Sequence, residues 1–286
     1  MFHLQKVVVT GGSGRLGTSV LEHFLASGYE VVNADQVKPK NPDVKHVTVN
    51  LQNLGECYGV LAGADAVVHL AAIPVAYSHP NEVTFQNNVM ATYNILQAAA
   101  GLGIGKAVVA SSESSYGIVF AKHRLVPQYV PIDEDHPQLP QDSYGLSKIV
   151  AEETAAMFNR LTGMQVVTLR IGNVIAPEMY QKNFPAFIHD PTKRQNILWS
   201  YIDARDAAVA CRLAIEADGL GAVVLNLAAD DTSMDIKSET LMNIGYPEVT
   251  DIREPLDNFN TLLSNKKIKR VLNWQPVHSW RDYVQP

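Results

Sequence analysis

The run KVVVT at residues 6–10 passes without interruption into T10-G-G-S-G-R-L-G17 and then into the helix-like RLGTSVLEHFLAS. A β-branched strand, a glycine turn and an amphipathic helix in that order open a strand–helix–strand unit, whose second strand lies parallel to the first because the helix serves as the crossover. The pattern then repeats. Short apolar runs at 30–34 (EVVNA), 45–49 (KHVTV), 66–71 (AVVHLA), 106–111 (KAVVAS), 165–170 (QVVTLR) and 222–228 (AVVLNLA) alternate with segments such as 15–27, 81–100 and 143–161, which are helix-length and striped with alanine and leucine. Near-continuous apolar strands suit burial on both faces, so the predicted fold is α/β, a doubly wound parallel sheet.

The first turn carries more than topology. Glycines at 11, 14 and 17 permit a tight turn, let backbone N–H groups approach a pyrophosphate with no Cβ in the way, and bring helix against strand. A glycine turn alone also fits a junction that needs glycine only for packing. Here Asp35 closes the second strand 18 residues after Gly17, near the offset of about 20 at which an acidic residue accepts from ribose hydroxyls. A carboxylate there also repels a 2′-phosphate, which predicts NAD over NADP, although Arg15 in the same loop could offset that repulsion. Residues 1–172 are accordingly predicted to be a Rossmann domain that binds NAD, with the sheet completed by about 200–230. After about 172 the alternation loosens around Pro177, Pro185, Pro191, Pro247, Pro255 and Pro276, and 173–286 is predicted to be a small, interleaved substrate-binding lobe.

Composition narrows the partners. The chain has 286 residues, 47% of them hydrophobic, enough for a large core. Its formal charge of −6 includes no block of like charge, so neither nucleic acid nor an anionic membrane is an expected partner. No run approaches membrane-spanning length and none has the form of a signal peptide, and Cys57 and Cys211 each lie in apolar, helix-like surroundings as reduced thiols would. A cytoplasmic location is expected. The nine histidines are scattered without metal-ligand spacing, so no metal is expected.

The stretch P140-Q-D-S-Y-G-L-S-K148 places Tyr144 and Lys148 four residues apart at the start of a helix, so both side chains leave one face and can reach one target. Taken alone, the spacing also fits an exposed helix whose lysine covers an aromatic stem. The rest of the chain decides between them. T10-G-G-S-G-R-L-G17, V68-H-L-A-A72, N88-V-M-A-T-Y-N-I-L-Q-A-A99, S111-S-E-S-S-Y-G117, I132-D-E-D-H-P-Q-L-P140, Y144-G-L-S-K148 and R170-I-G-N-V174 follow one another as in a known family, and Y201-I-D-A-R-D206 and L272-N-W-Q-P276 follow less fully. The chain resembles the extended short-chain dehydrogenase/reductases, the NAD-dependent sugar epimerase/dehydratase superfamily, over nearly its whole length. The motif set is specific for fold and cofactor and much less so for substrate.

The resemblance implies an NAD-dependent enzyme acting at a carbinol carbon of a carbohydrate, with Tyr144 as acid/base, Lys148 on the nicotinamide ribose and Ser112 on the reacting oxygen. A free phenol titrates near ~10, too high for a neutral-pH base; Lys148 and the positive nicotinamide ring would both favour phenolate. Without its motif, Ser112 would read as a turn cap. The resemblance further assigns Gly11, Gly14, Arg15, Leu16, Gly17, Asp35, Asn50, Leu51, Leu70, Ala71, Ala72, Asn88, Tyr144, Lys148 and Ile171 to the cofactor, and Ser112, Glu113, Asn173 and Lys182 to the substrate. It also implies a homodimer, since helices at 81–100 and 143–161 commonly pair across a twofold in the family and A151-E-E-T-A-A-M157 offers small residues for close packing.

Three departures refine this picture. Dehydratases of the family carry Thr-Asp-Glu where this chain has Ser112, Glu113 and Ser114; the second carboxylate is missing, which argues against dehydration. Asn50-Leu51 stands where an Asp-Leu pair often meets the adenine, and an amide can still accept there. The interval E178 to L198 between Pro177 and Trp199 holds 21 residues, too short for the wall that encloses a nucleotide diphosphate in nucleotide-sugar relatives. In that respect the chain looks closest to uronate dehydrogenases, which oxidise free sugar acids and use an arginine after this strand for the carboxylate. Near that position stand Gln181 and Lys182, with Arg194 farther along, so a neutral sugar or lactone fits as well as a uronate. Lys193 and Arg194 read as solvated basic surface. The leading expectation is oxidation of a small sugar or sugar acid; the alternatives are a nucleotide-sugar 4-epimerase with tightly bound NAD and an NAD-binding scaffold without turnover, the last disfavoured by the retained Tyr144 and Lys148.

Overall fold

The computed structural model describes residues 5–284. Its elements in chain order are β1 (Lys6–Thr10), α1 (Arg15–Ala26), β2 (Glu30–Ala34), β3 (Lys45–Val47), α2 (Leu54–Leu61), β4 (Ala66–His69), α3 (Asn81–Gly101), β5 (Lys106–Ser112), α4 (Ser143–Thr162), β6 (Gln165–Ile171), β7 (Val174–Ile175), α5 (Met179–Asn183), β8 (Ile202–Asp203), α6 (Ala204–Glu216), β9 (Ala222–Leu227), α7 (Ser238–Gly245) and α8 (Lys266–Leu272). Seven of the strands form one parallel sheet in the order β3-β2-β1-β4-β5-β6-β9.

Strand alternation divides the core into two layers. Val7 and Val9 face Val20 and Phe24 of α1 and Ala207 and Cys211 of α6. Val8, Val67 and Val109 face the other way, against Cys57 of α2, Ile95 and Leu96 of α3, and Ala151, Ala155 and Phe158 of α4. With both faces covered, β4 and β6 are buried along their whole length, including the polar residues His69, Gln165, Thr168 and Arg170 that interrupt their apolar runs. Three expected strands are shorter: the 45–49 run stops at Val47, the 66–71 run at His69 and the 222–228 run at Leu227, the first two level with the ends of β2 at Ala34 and β1 at Thr10. The residues released, Leu70 to Ala72 among them, become wall at the carboxyl edge of the sheet.

The strand order reverses between β1 and β4, which places a crevice at the carboxyl ends of those two strands. Beyond residue 172 the chain returns α6 and β9 to the sheet layers, while β7 and β8 pair with each other as Val174↔Ile202 and Ile175↔Asp203. The remainder packs as two satellite cores above the carboxyl edge. One gathers Tyr116, Val130, Ile132, Trp199, Met234, Leu241 and Leu262; the other gathers Ile175, Tyr180, Phe184, Ile188, Tyr201 and Trp280. Cys57 and Cys211 are buried and unbridged. Among the described residues, no helix is long and apolar enough to cross a membrane.

Candidate active site

A cleft of about 770 Å³ lies at the topological reversal, between the loops that follow β1 and β4. Gly11 has φ +71°, and a Cβ placed on it would come within 2.7 Å of the Ala71 backbone; the two loops can touch only because no side chain is there. A Cβ on Gly17 would lie 2.2 Å from Gly11 O, so α1 seats directly on the turn for the same reason. The N-cap of this twelve-residue helix, Gly14, supplies no capping side chain and the first turn holds no acidic residue, which leaves the helix's positive end to the cleft that Gly14, Arg15, Leu16 and Gly17 line. Asp35 is fixed at the same rim: its Oδ2 accepts from Ser13 N and its Oδ1 from Val37 N, each at 3.0 Å. Asn50 Oδ1 accepts from Gln52 N at 3.0 Å, holding Asn50 and Leu51 in the wall. A side-chain-free cradle before a helix N-terminus and an acceptor at the end of the second strand are what a dinucleotide requires, so these residues fit NAD.

Farther along the edge, β5 ends at Ser112 and α4 begins at Ser143, capped by Asp142, whose Oδ1 accepts from Gly145 N at 2.7 Å. The cap starts the helix where Tyr144 and Lys148 both enter the cleft. Lys148 Nζ donates to Ala110 O at 2.8 Å and lies 5.4 Å from the centre of the Tyr144 ring. Burial lowers the lysine's pKa to about 8, against an opposing pull from Glu152. Burial raises the Tyr144 phenol to about 12; the Ser112 hydroxyl pulls it down, and Glu113 and Asp142 push it further up. In the protein alone desolvation governs the phenol, so the expected lowering by Lys148 rests also on the charge of the nicotinamide ring. Ser112 serves as a turn cap, its Oγ accepting from Ser114 N and donating to Ser114 Oγ at 3.1 Å, and it also lines the cleft beside Tyr144. Phe120 stands edge-on to the Tyr144 ring, 6.0 Å between centres.

The remaining end of the cleft holds Glu113 and Asn173. Glu113 is buried, and burial raises its carboxyl to about 8 despite the positive charge of Arg194 and lesser pulls from the Asn173 amide and the Ser200 hydroxyl. Arg194 stands behind them: Nη1 donates to Asn173 Oδ1 at 3.1 Å, Nε to Ser233 Oγ at 2.8 Å and Nη2 to Ser200 O at 2.8 Å, with Phe187 5.0 Å below the guanidinium. Its expected role as solvated surface is overturned. The backbone at Arg194 is left-handed, φ +60°, as at Leu198 and Trp199, and this turn carries the side chain inward instead of out. Burial lowers the guanidinium's pKa to about 10.

The other predicted site residues divide clearly. Leu70, Ala71, Ala72 and Ile171 line the cleft with the residues above. Asn88 does not line it. It is buried behind the wall, where its Oδ1 accepts from Ile73 N at 2.8 Å and its Nδ2 donates to Ile73 O and Ser147 Oγ, so it clamps the loop that the cofactor wall is made of. Lys182 is exposed and lies outside the cleft, because α5 and the turn after it place Tyr180 and Phe184 in the aromatic core and leave Lys182 in solvent. Sequence reading missed the polar group under the site, in which Glu152 accepts from Arg170 and from Ser111. The available signal was an arginine at the carboxyl end of a strand run, Arg170 in QVVTLR. Among the described residues, no cluster of His, Cys, Asp or Glu is arranged to hold a metal.

Known proteins agree with this geometry. The chain is 26% identical to a UDP-glucose 4-epimerase of Rhizobium leguminosarum bv. trifolii over 98% of its own length and 95% of that protein. It is 30% identical to a uronate dehydrogenase of Agrobacterium fabrum over 65% of this chain and 68% of the relative. Among solved structures, a UDP-galactose 4-epimerase superposes with a TM-score of 0.71 at 27% identity, covering 96% of this chain and 94% of that one. Residues 7–228 match the model of the NAD dependent epimerase/dehydratase family. The chain belongs to that family and is an NAD-dependent enzyme of carbohydrate chemistry.

Proposed function

We propose that this enzyme oxidises a carbinol carbon of a small, non-nucleotide sugar or sugar acid. The observation that carries this reading is the interval 177–199, which enters the aromatic core through Tyr180, Phe184 and Ile188, leaves Lys182 and Lys193 in solvent and keeps Arg194 behind the wall on Asn173, Ser200 and Ser233, so no basic side chain of this interval lines the substrate end. NAD bound in the cleft supplies the hydride acceptor. Tyr144 takes the alcohol proton, Ser112 donates to the substrate oxygen, and Lys148 holds the nicotinamide ribose while its charge assists ionisation of the phenol. Asp35 accepts from the adenosine ribose and disfavours a 2′-phosphate. Asn173, held by Arg194, and Glu113 meet the sugar's other hydroxyls.

A second reading, a nucleotide-sugar 4-epimerase, is favoured by the similarity to a UDP-glucose 4-epimerase along almost the entire chain. The two separate in one experiment. The protein is incubated with NAD and a panel of free sugars, uronates and nucleotide sugars while absorbance at 340 nm is followed. NADH produced from a free sugar supports the dehydrogenase; conversion of a UDP-sugar to its 4-epimer without net NADH overturns it. We also infer a cytoplasmic homodimer. Val83 and Met90, seven residues apart on α3, and Leu146 on α4 are exposed apolar side chains on two helices that pack against each other, a surface suited to a twofold four-helix contact. A monomer by light scattering at micromolar concentration removes that inference.

A further inference from the structure

The charged residues that line the cleft are Arg15, Asp35, Glu113 and Lys148. Arg15, whose Nη1 donates to Val174 O, and Asp35 stand at the glycine turn, and Lys148, one of whose three N–H donors goes to the Ala110 carbonyl, is the group assigned above to the nicotinamide ribose. At the substrate end the one charged lining residue is therefore an acid. The cation nearest to it, Arg194, does not line the cleft, and each of its three nitrogens already donates, to Ser233, Asn173 and Ser200. Lys182 and Lys193 are turned to solvent.

Resting on the dehydrogenase reading, we propose that Glu113 is a specificity-determining residue that selects a neutral sugar and rejects the corresponding sugar acid. A sugar hydroxyl both donates and accepts, so it satisfies Glu113 in either protonation state. A sugar carboxylate brought to the same place meets a second carboxylate when Glu113 is ionised and shares its single proton when it is protonated, and no cation assigned to the substrate end lies against it. That the Glu113 carboxyl already titrates at about 8 beside Arg194 is consistent with a position that tolerates one negative charge poorly and a second one worse.

The test compares matched pairs, D-galactose with D-galacturonate and D-glucose with D-glucuronate, on the wild type and on Glu113→Gln, which keeps the shape and removes the acid. Turnover with NAD is read as kcat/KM, and calorimetric binding of the same sugars to the enzyme–NAD complex is measured in parallel. The wild type is expected to favour the neutral member of at least one pair by about tenfold or more, and Glu113→Gln to narrow that ratio by at least about fivefold. Unchanged melting temperature and NAD affinity show that the variant is folded, and Glu113→Asp, which keeps the charge, retains the preference. Preference for the acid, equal use of both, no binding of either neutral sugar, or a ratio unmoved by Glu113→Gln overturns the assignment. The binding arm keeps the two readings apart. Neutral-over-acid binding without NADH formation leaves the role of Glu113 standing and removes the dehydrogenase.

Discussion

Replacing Arg170 by methionine is expected to destabilise the protein by about 3–5 kcal/mol, the cost of leaving one member of a buried ion pair alone. Arg170 Nε lies 2.9 Å from Glu152 Oε1 and Nη2 lies 2.8 Å from Oε2, a bidentate fork with both side chains under a tenth exposed. Arg170 Nη1 also donates to Tyr116 Oη and Glu134 O, while Glu152 accepts from Ser111 Oγ at 2.6 Å and Gln138 Nε2 at 3.2 Å. In Arg170→Met, the Glu152 carboxylate keeps two neutral donors and loses its countercharge while only 7% exposed. At roughly 2–3 °C per kcal/mol for a chain of this size, the midpoint of thermal unfolding should fall by ~6–15 °C. Denaturant titration gives the free energy directly. Pairing the change with Glu152→Leu removes the stranded charge, and the double variant should recover most of the loss. Because Glu152 opposes the lowering of the Lys148 pKa, its removal should also move the alkaline limb of the rate profile below about 8. A single-variant cost under about 1 kcal/mol, or a double variant no better than Arg170→Met, would refute the account of a buried, tightly coupled pair.

Three further outcomes are expected. Tyr144→Phe keeps the ring and loses the proton-transferring oxygen, so turnover should fall by about 10²–10⁴ with NAD affinity nearly unchanged; activity within tenfold of the parent would remove the assigned role. Asp35→Ser should raise NADP affinity by removing a carboxylate from the place a 2′-phosphate would occupy, and a parent enzyme that already prefers NADP contradicts this. His69 is buried between Thr10 Oγ1 and Thr92 Oγ1, and burial lowers its pKa to about 3 from an unfolded value near 6.5. Between those values the unfolded chain binds a proton that the folded one refuses. Stability should therefore fall as pH drops from 6.5 toward 3, by up to ~1.4 kcal/mol per unit from this group, and His69→Asn should flatten that part of the curve measured by urea titration.

The sheet was legible because each strand states its environment twice, in β-branched content and in an apolar centre on both faces. Val7 to Val9, Val67 and Val68, and Val166 and Val167 are buried on both sides, and a parallel sheet with helix-length crossovers hides such runs. Strand ends were less legible. Whether Val49 or Leu70 remains in the ladder depends on where the neighbouring strand stops, which is a property of two segments and is written in neither. The glycine turn was legible for the opposite reason. Gly11 and Gly17 each sit where a Cβ would overlap backbone, so the constraint acts on the residue itself.

The substrate end could not be read in the same way, and Arg194 shows why. An arginine between a lysine and a glutamine in a proline-flanked loop has the local character of surface. What turns it inward is a run of left-handed residues at 194, 198 and 199, none of them glycine, held by Trp199 packing against Gly245 and by Tyr246 Oη donating to Gln195 O. Those contacts join positions about 50 residues apart, and nothing near Arg194 announces them. Asn88 differs in the opposite direction: its motif is strong, and the structure places it behind the cleft wall, fastened to the Ile73 backbone. A motif identifies positions under chemical constraint; contact and support impose the same constraint, and only the hydrogen-bond partners in three dimensions separate them. For this enzyme the separation falls along the sheet, with the cofactor end built from backbone that sequence describes well and the substrate end from side chains whose direction is decided elsewhere in the chain.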